Sequence, residues 1–132
     1  MLIKERTMLV IEDERPLVEA IKTKLENNGF AVVTARTVEQ ALNYLEDIKQ
    51  VDAIWLDHYL LGKEDGLDFV SKIKQDGAKW KNIPIFVISN TASSNNVHSY
   101  MRLGIKKYYV KADHRLDGIV NEIKSFLDNP EE

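Results

Sequence analysis

Five short apolar runs, each followed by a stripe of apolar residues at helical spacing, constrain this chain more than any other feature of it. The runs are Met8-Leu9-Val10-Ile11, Phe30 to Ala35, Ala53-Ile54-Trp55-Leu56, Ile85-Phe86-Val87-Ile88 and Tyr108-Tyr109-Val110. Runs this short, apolar on both faces and bounded by turn residues, predict strands buried on both sides. Strand and helix alternating five times with short connections predict right-handed βαβ units. The fold expected is α/β: a doubly wound (βα)5 unit with a five-stranded parallel sheet and helices on both faces.

The helical stripes complete the pattern. Pro16 stands in a first turn, where its missing N–H costs nothing, and Leu17, Ala20, Ile21 and Leu25 follow before Asn28-Gly29. Thr37-Val38-Glu39-Gln40 has the form of a capping box and opens a helix burying Val38, Ala41, Leu42, Leu45 and Ile48. Leu67, Val70 and Ile73 form a third stripe before Asp76-Gly77, and Val97, Tyr100 and Met101 a fourth, closed by Gly104. Leu116, Ile119, Val120, Ile123 and Leu127 give the last face, and residues 129–132 read as a frayed tail. Phe30 to Ala35 is poorest in apolar residues and is the candidate edge strand.

At 132 residues, with no repeat and no linker, the chain is expected to be one domain with a core over about 7–127. It has no cysteine, which excludes disulfides and thiolate sites. A net charge of −3 offers no electrostatic case for direct nucleic-acid or membrane binding, and no apolar stretch approaches the length of a membrane span. The charged start, Met1 to Arg6, lacks the form of a signal peptide, so a cytoplasmic location is expected.

Function is written in the residues that close the strands. The first ends at Glu12-Asp13, the third at Asp57, the fourth at Ser89 and the fifth at Lys111. A parallel sheet brings all strand C-termini to one edge, where open α/β sheets place their chemistry. Three carboxylates gathered there repel unless a cation lies among them. Oxygen ligands without histidine or cysteine point to Mg2+, which takes few protein carboxylates and keeps several waters. A Mg2+ site beside a lysine suits phosphoryl oxygens, and a carboxylate within it can become the phosphoryl acceptor. Asp57, ending the central strand between the acidic pair and Lys111, is the candidate. A lone Asp after a strand is commonly a turn residue, and Glu12-Asp13-Glu14 could be simple helix N-terminal charge. The other members of the constellation argue against the first for Asp57, whereas the second suits Glu14 best.

On these residues the chain resembles a response regulator receiver domain of two-component phosphorelays, over roughly Thr7 to Leu127. The resemblance implies a flavodoxin-like strand order of 2-1-3-4-5. It implies that Asp13 binds Mg2+ directly and Glu12 through water, that Asp57 is the phospho-acceptor, and that the backbone carbonyl of Tyr59 completes the metal site. Ser89 then matches the hydroxyl residue that turns inward to a phosphoryl oxygen, Lys111 the lysine paired with the phosphoryl group, and Tyr108 the aromatic whose rotamer follows the hydroxyl. Spacing from Lys111 selects Tyr108 over Tyr109.

Departures from the family's pattern are equally specific. Ala112 follows Lys111 where a cis proline is usual, and a cis bond before alanine costs about 3 kcal/mol, so the sequence leaves the isomer of this bond, and the shape of the loop after it, open. Leu61 takes the place of a proline in a loop to Gly66 that is one residue longer. Tyr59 and Asn90 flank the acceptor and are expected to modulate access to the phosphoryl group.

The expected function is a phosphorylation-dependent signalling switch. A histidine kinase or phosphotransfer protein supplies the phosphoryl group, and the surface of the fourth helix, fifth strand and fifth helix changes its affinity for a downstream protein target or a second copy of the chain. With no output domain following, it is expected to be a stand-alone receiver, not an enzyme beyond slow self-dephosphorylation. The alternative is a receiver-like interaction module that works without phosphorylation. An aspartate-nucleophile phosphatase would need a general acid where Tyr59 stands, and a flavin phosphate would meet Glu12-Asp13-Glu14. His58 and His98 have no partners at metal-ligand spacing and read as surface or loop residues. Trp80 reads as a packing lid, and Lys106-Lys107 as a solvated strand start.

Overall fold

The computed structural model describes residues 5–48, 50–60, 62–90 and 93–129. Five strands and five helices alternate: β1 (Arg6–Ile11), α1 (Arg15–Asn27), β2 (Phe30–Ala35), α2 (Val38–Asp47), β3 (Ala53–Leu56), α3 (Gly66–Ile73), β4 (Ile85–Ser89), α4 (Ser94–Leu103), β5 (Lys107–Val110) and α5 (Leu116–Asp128). The strands form one sheet in the order β2-β1-β3-β4-β5, every pairing parallel. β3 is central and β2 is an edge, as its weaker apolar content implied.

Alternation along the strands divides the core in two. Leu9, Ile11, Ile54, Leu56, Ile85 and Val87 point to one side, where α2, α3 and α4 cover them. Met8, Val10, Trp55, Phe86, Ile88 and Tyr109 point to the other, under α1 and α5. Each fully buried aliphatic or aromatic side chain contributes about 1.5–3 kcal/mol by leaving water, and β1, β3 and β4 supply both layers. Tyr108 and Tyr109 therefore face opposite sides, with Tyr108 packed beside the α3/α4 layer.

Local signals fix most boundaries. Pro16 lies in the first turn of α1, and Gly104 ends α4 in the left-handed conformation at φ 97°. Thr37 accepts from the Gln40 N–H at 3.0 Å, but Gln40 reaches back to the Arg36 N–H at 2.8 Å, one residue beyond the expected box. The reciprocal box is instead at α3, between Asp65 and Asp68.

Several expectations are corrected. Ala20 and Met101 face solvent, Met101 at 50% exposure, because the buried arcs of α1 and α4 are narrower than their apolar stripes. Phe69 joins Val70 and Ile73 inside, a place the stripe on α3 left open. Trp80 is half-buried against the α2/α3 layer, with Lys79 Nζ 5.1 Å from the ring centre, as a lid would be. No cis peptide occurs among the described residues, so Lys111–Ala112 is trans and opens a short 3-10 turn, Lys111–Asp113. Leu61 and the end of the tail lie outside the described residues. Among those described, no helix is long and apolar enough to cross a membrane.

Candidate functional site

Backbone hydrogen bonds of the sheet set the site's geometry. The Asp57 N–H donates to the Ile11 carbonyl at 2.9 Å, and the Glu12 N–H to the Ala35 carbonyl at 3.0 Å. These bonds hold the ends of β3 and β1 level, so both carboxyl groups enter one pocket at the sheet edge. Oxygen atoms of Glu12, Asp13 and Asp57 lie within 4.8 Å of one another. Carboxylates gathered this closely could hold a metal ion.

Glu12 is 1% exposed and Asp57 6%, while Asp13 is half-buried. One Glu12 oxygen accepts from its neighbours, the Asp13 N–H at 2.9 Å and the Glu14 N–H at 3.4 Å. The other accepts from Lys111 Nζ at 3.0 Å, and the same ammonium stands 3.7 Å from Asp57. A lysine just beyond the end of β5 therefore reaches past β4 to neutralise part of the cluster.

Neutralisation is incomplete. Burial pushes the Asp57 carboxyl up to about 7, and the adjacent Glu12 carboxyl adds to the rise. Lys111 opposes both without cancelling them. A carboxylate here needs further positive charge to be ionised fully, which a cation held among the three carboxylates would supply.

The remaining residues take distinct places. Ser89 is fully buried at the end of β4, paired in register with Val110, the residue before Lys111. Asn90 follows it on the surface, and Tyr59 lies 55% exposed on the loop beyond Asp57. Tyr108 is half-buried, its ring 5.8 Å from that of Tyr100. Glu12, Asp13, Asp57 and Lys111 thus share direct geometry.

One expectation is corrected in part. His58 stands on the loop after β3 but not at the surface: it is 5% exposed, with Nδ1 2.7 Å from the Tyr100 hydroxyl. A polar ring is buried only with partners, and this partner lies 42 positions away on another element. His98 does lie exposed on α4.

Residues 8–123 match the profile of the response regulator receiver domain. The phosphate regulon transcriptional regulatory protein PhoB of Klebsiella pneumoniae is 32% identical over 106 residues, 80% of this chain and 45% of PhoB. The chain spans less than half the length of the curated relatives it matches. Among solved structures, the phosphorylated cyanobacterial phytochrome response regulator RcpA superposes with a TM-score of 0.85 at 26% identity, covering 96% of both chains. The Mn(2+)-bound form of response regulator Rcp1 superposes at 0.80 with 24% identity, covering 92% of this chain and 93% of that one. The order of the sheet, the acidic cluster at its edge and the matched span agree, and the chain belongs to the response regulator receiver domain family.

Proposed function

We propose that this chain is a phosphorylation-controlled signalling switch whose acceptor is Asp57. The observation that carries the reading is the convergence of Glu12, Asp13 and Asp57 within 4.8 Å, with Lys111 3.7 Å from the acceptor. An Asp57 oxygen attacks phosphorus of a phosphohistidine on a histidine kinase or phosphotransfer protein. The P–N bond breaks as the P–O bond forms, and the departing imidazole takes up a proton. Mg2+, held by Glu12, Asp13, Asp57 and the Tyr59 carbonyl, would neutralise charge on the carboxylate and the transferring oxygens. That RcpA occurs phosphorylated supports the same capacity here.

After transfer, Lys111 moves from Glu12 to a phosphoryl oxygen and the Ser89 hydroxyl donates to another. Tyr108 follows Ser89 inward, and the surface formed by α4, β5 and α5 changes its affinity for a downstream protein or a second copy of the chain. No catalysis on external substrates is expected beyond slow hydrolysis of the acyl phosphate, with Tyr59 and Asn90 governing water access.

Intact mass after incubation with acetyl phosphate tests the reading. One added phosphoryl group is expected with Mg2+, none without metal and none in Asp57→Asn. No gain in the native chain, together with no Mg2+ binding by titration, would replace the switch with a phosphate-independent interaction module. A gain on Asp57→Asn would move the acceptor elsewhere.

A further inference from the structure

The residue directly after the acceptor is tied to the helix that the switch reading expects to move. His58 is nearly sealed from solvent, and three groups from two directions meet its ring. The fully buried Tyr100 hydroxyl of α4 lies 2.7 Å from Nδ1. The Asn96 side-chain amide, one turn earlier on α4, lies 3.4 Å from Nε2. The Asp65 carboxylate, capping α3, lies 4.0 Å from the same nitrogen. Nδ1 and the Tyr100 hydroxyl share one hydrogen bond, in which the tautomer of the ring decides which of the two donates.

The surroundings leave this contact little room to slip. The His58 carbonyl accepts from the Gly66 N–H at 3.0 Å, fixing the loop to the start of α3. The Tyr100 hydroxyl fills the space where a Cβ on residue 66 would stand. The Tyr100 ring also packs on Tyr108 at 5.8 Å. One α4 side chain thus touches both the chain after the acceptor and the aromatic proposed to follow Ser89.

We propose that His58 is a positioning residue that couples the Asp57 chain to α4 through Tyr100 and Asn96, so that rearrangement around the phosphorylated carboxylate is passed to that helix. This inference rests on the switch reading above and adds to it a second route to α4, through the loop after β3 as well as through Ser89 and Tyr108. The bond is made by hydrogen-bonding groups rather than by packing alone, which gives a clear discrimination between variants. His58→Phe keeps a ring and loses the hydrogen bond, whereas His58→Asn loses the ring and keeps a hydrogen-bonding amide near the place of Nδ1.

The test combines two measurements on the native chain, His58→Phe, His58→Asn and Tyr100→Phe. Intact mass with acetyl phosphate and Mg2+ reads uptake at Asp57, and amide hydrogen exchange over residues 94–103 reads α4 before and after uptake. Uptake is expected in all four proteins. The change in α4 exchange on phosphorylation should fall by about threefold or more in His58→Phe and Tyr100→Phe, the size of one lost hydrogen bond, and persist in His58→Asn. An undiminished α4 response in both Phe variants, or one kept in His58→Phe and lost in His58→Asn, would overturn the coupling while leaving the switch intact. Absence of uptake in the native chain would overturn the switch reading and this inference with it.

Discussion

Asp57 holds its proton far above the usual aspartate range, and that has a consequence for stability. The unfolded chain releases this proton near 3.8 and the folded protein near about 7. Between those values the folded state binds the extra proton, so this group's contribution to stability falls as pH rises through the window and levels off above it. The midpoint of thermal unfolding in EDTA, followed from pH 5 to 8, should therefore decline more steeply for the native protein than for Asp57→Asn, which should be the more stable at pH 8. Mg2+ should flatten the native curve and bind more tightly as pH approaches 7, with proton release visible by calorimetry in buffers of different ionisation heat. Parallel curves for the two proteins would refute the burial argument. Lys111 supplies the complementary case. Lys111→Met should cost roughly 1–3 kcal/mol without metal, because Glu12 and Asp57 lose their counter-charge in a largely dry site, and should lose less with Mg2+ present. Denaturant midpoints with and without Mg2+ would show it.

At the scale of elements, the start of α3 is the tightest junction. Gly66 has an ordinary backbone conformation, so it is required for space: a Cβ there would collide with the Tyr100 hydroxyl and stand 3.1 Å from the Asp57 carbonyl. Gly66→Ala should cost about 1–3 kcal/mol in urea unfolding by forcing α3 or α4 outward, and Tyr100→Phe should recover part of that loss in the double variant. Strictly additive effects would mean that the two residues do not share this space. The junction also marks where the sequence stops being legible. Strands and helices could be read because period two and period 3.6 are local, and the acidic cluster because a parallel sheet gathers strand ends whatever their separation. The burial of His58 depends on a hydroxyl 42 residues away, and no local period encodes such a pair. Met101 failed for a related reason: the stripe on α4 gave an apolar arc, but only packing against β5 and α3 decides which part of it is covered. The Gln40 reach to Arg36, one residue past its cap, lies below the resolution of any motif.

At the scale of the molecule, β1, β3 and β4 serve both core layers, so neither layer persists without the other. Unfolding is expected to be a single cooperative step, with far-ultraviolet dichroism and tryptophan fluorescence giving coincident transitions in urea. Separate midpoints would reveal a layer that melts alone. The two tryptophans are well placed for that comparison, since Trp55 belongs to the α1/α5 layer and Trp80 to the opposite one. Family membership fits this division, because matched residues 8–123 run from the first strand through the buried face of α5 and so include both layers whole.

Trp55 has a further use. Its indole is 1% exposed, its N–H meets no acceptor among the described residues, and it lines a cavity of about 120 Å3 together with Lys111. It stands two positions before Asp57 on the same strand. The protein consequently carries an intrinsic optical gauge that shares a cavity with the lysine proposed to change partner when the acceptor is loaded. Trp80, half-covered beneath Lys79 on the far layer, adds a background that Trp80→Phe removes. Emission from the remaining indole is expected to follow the occupancy of the sheet edge in real time, without a label and without a partner protein.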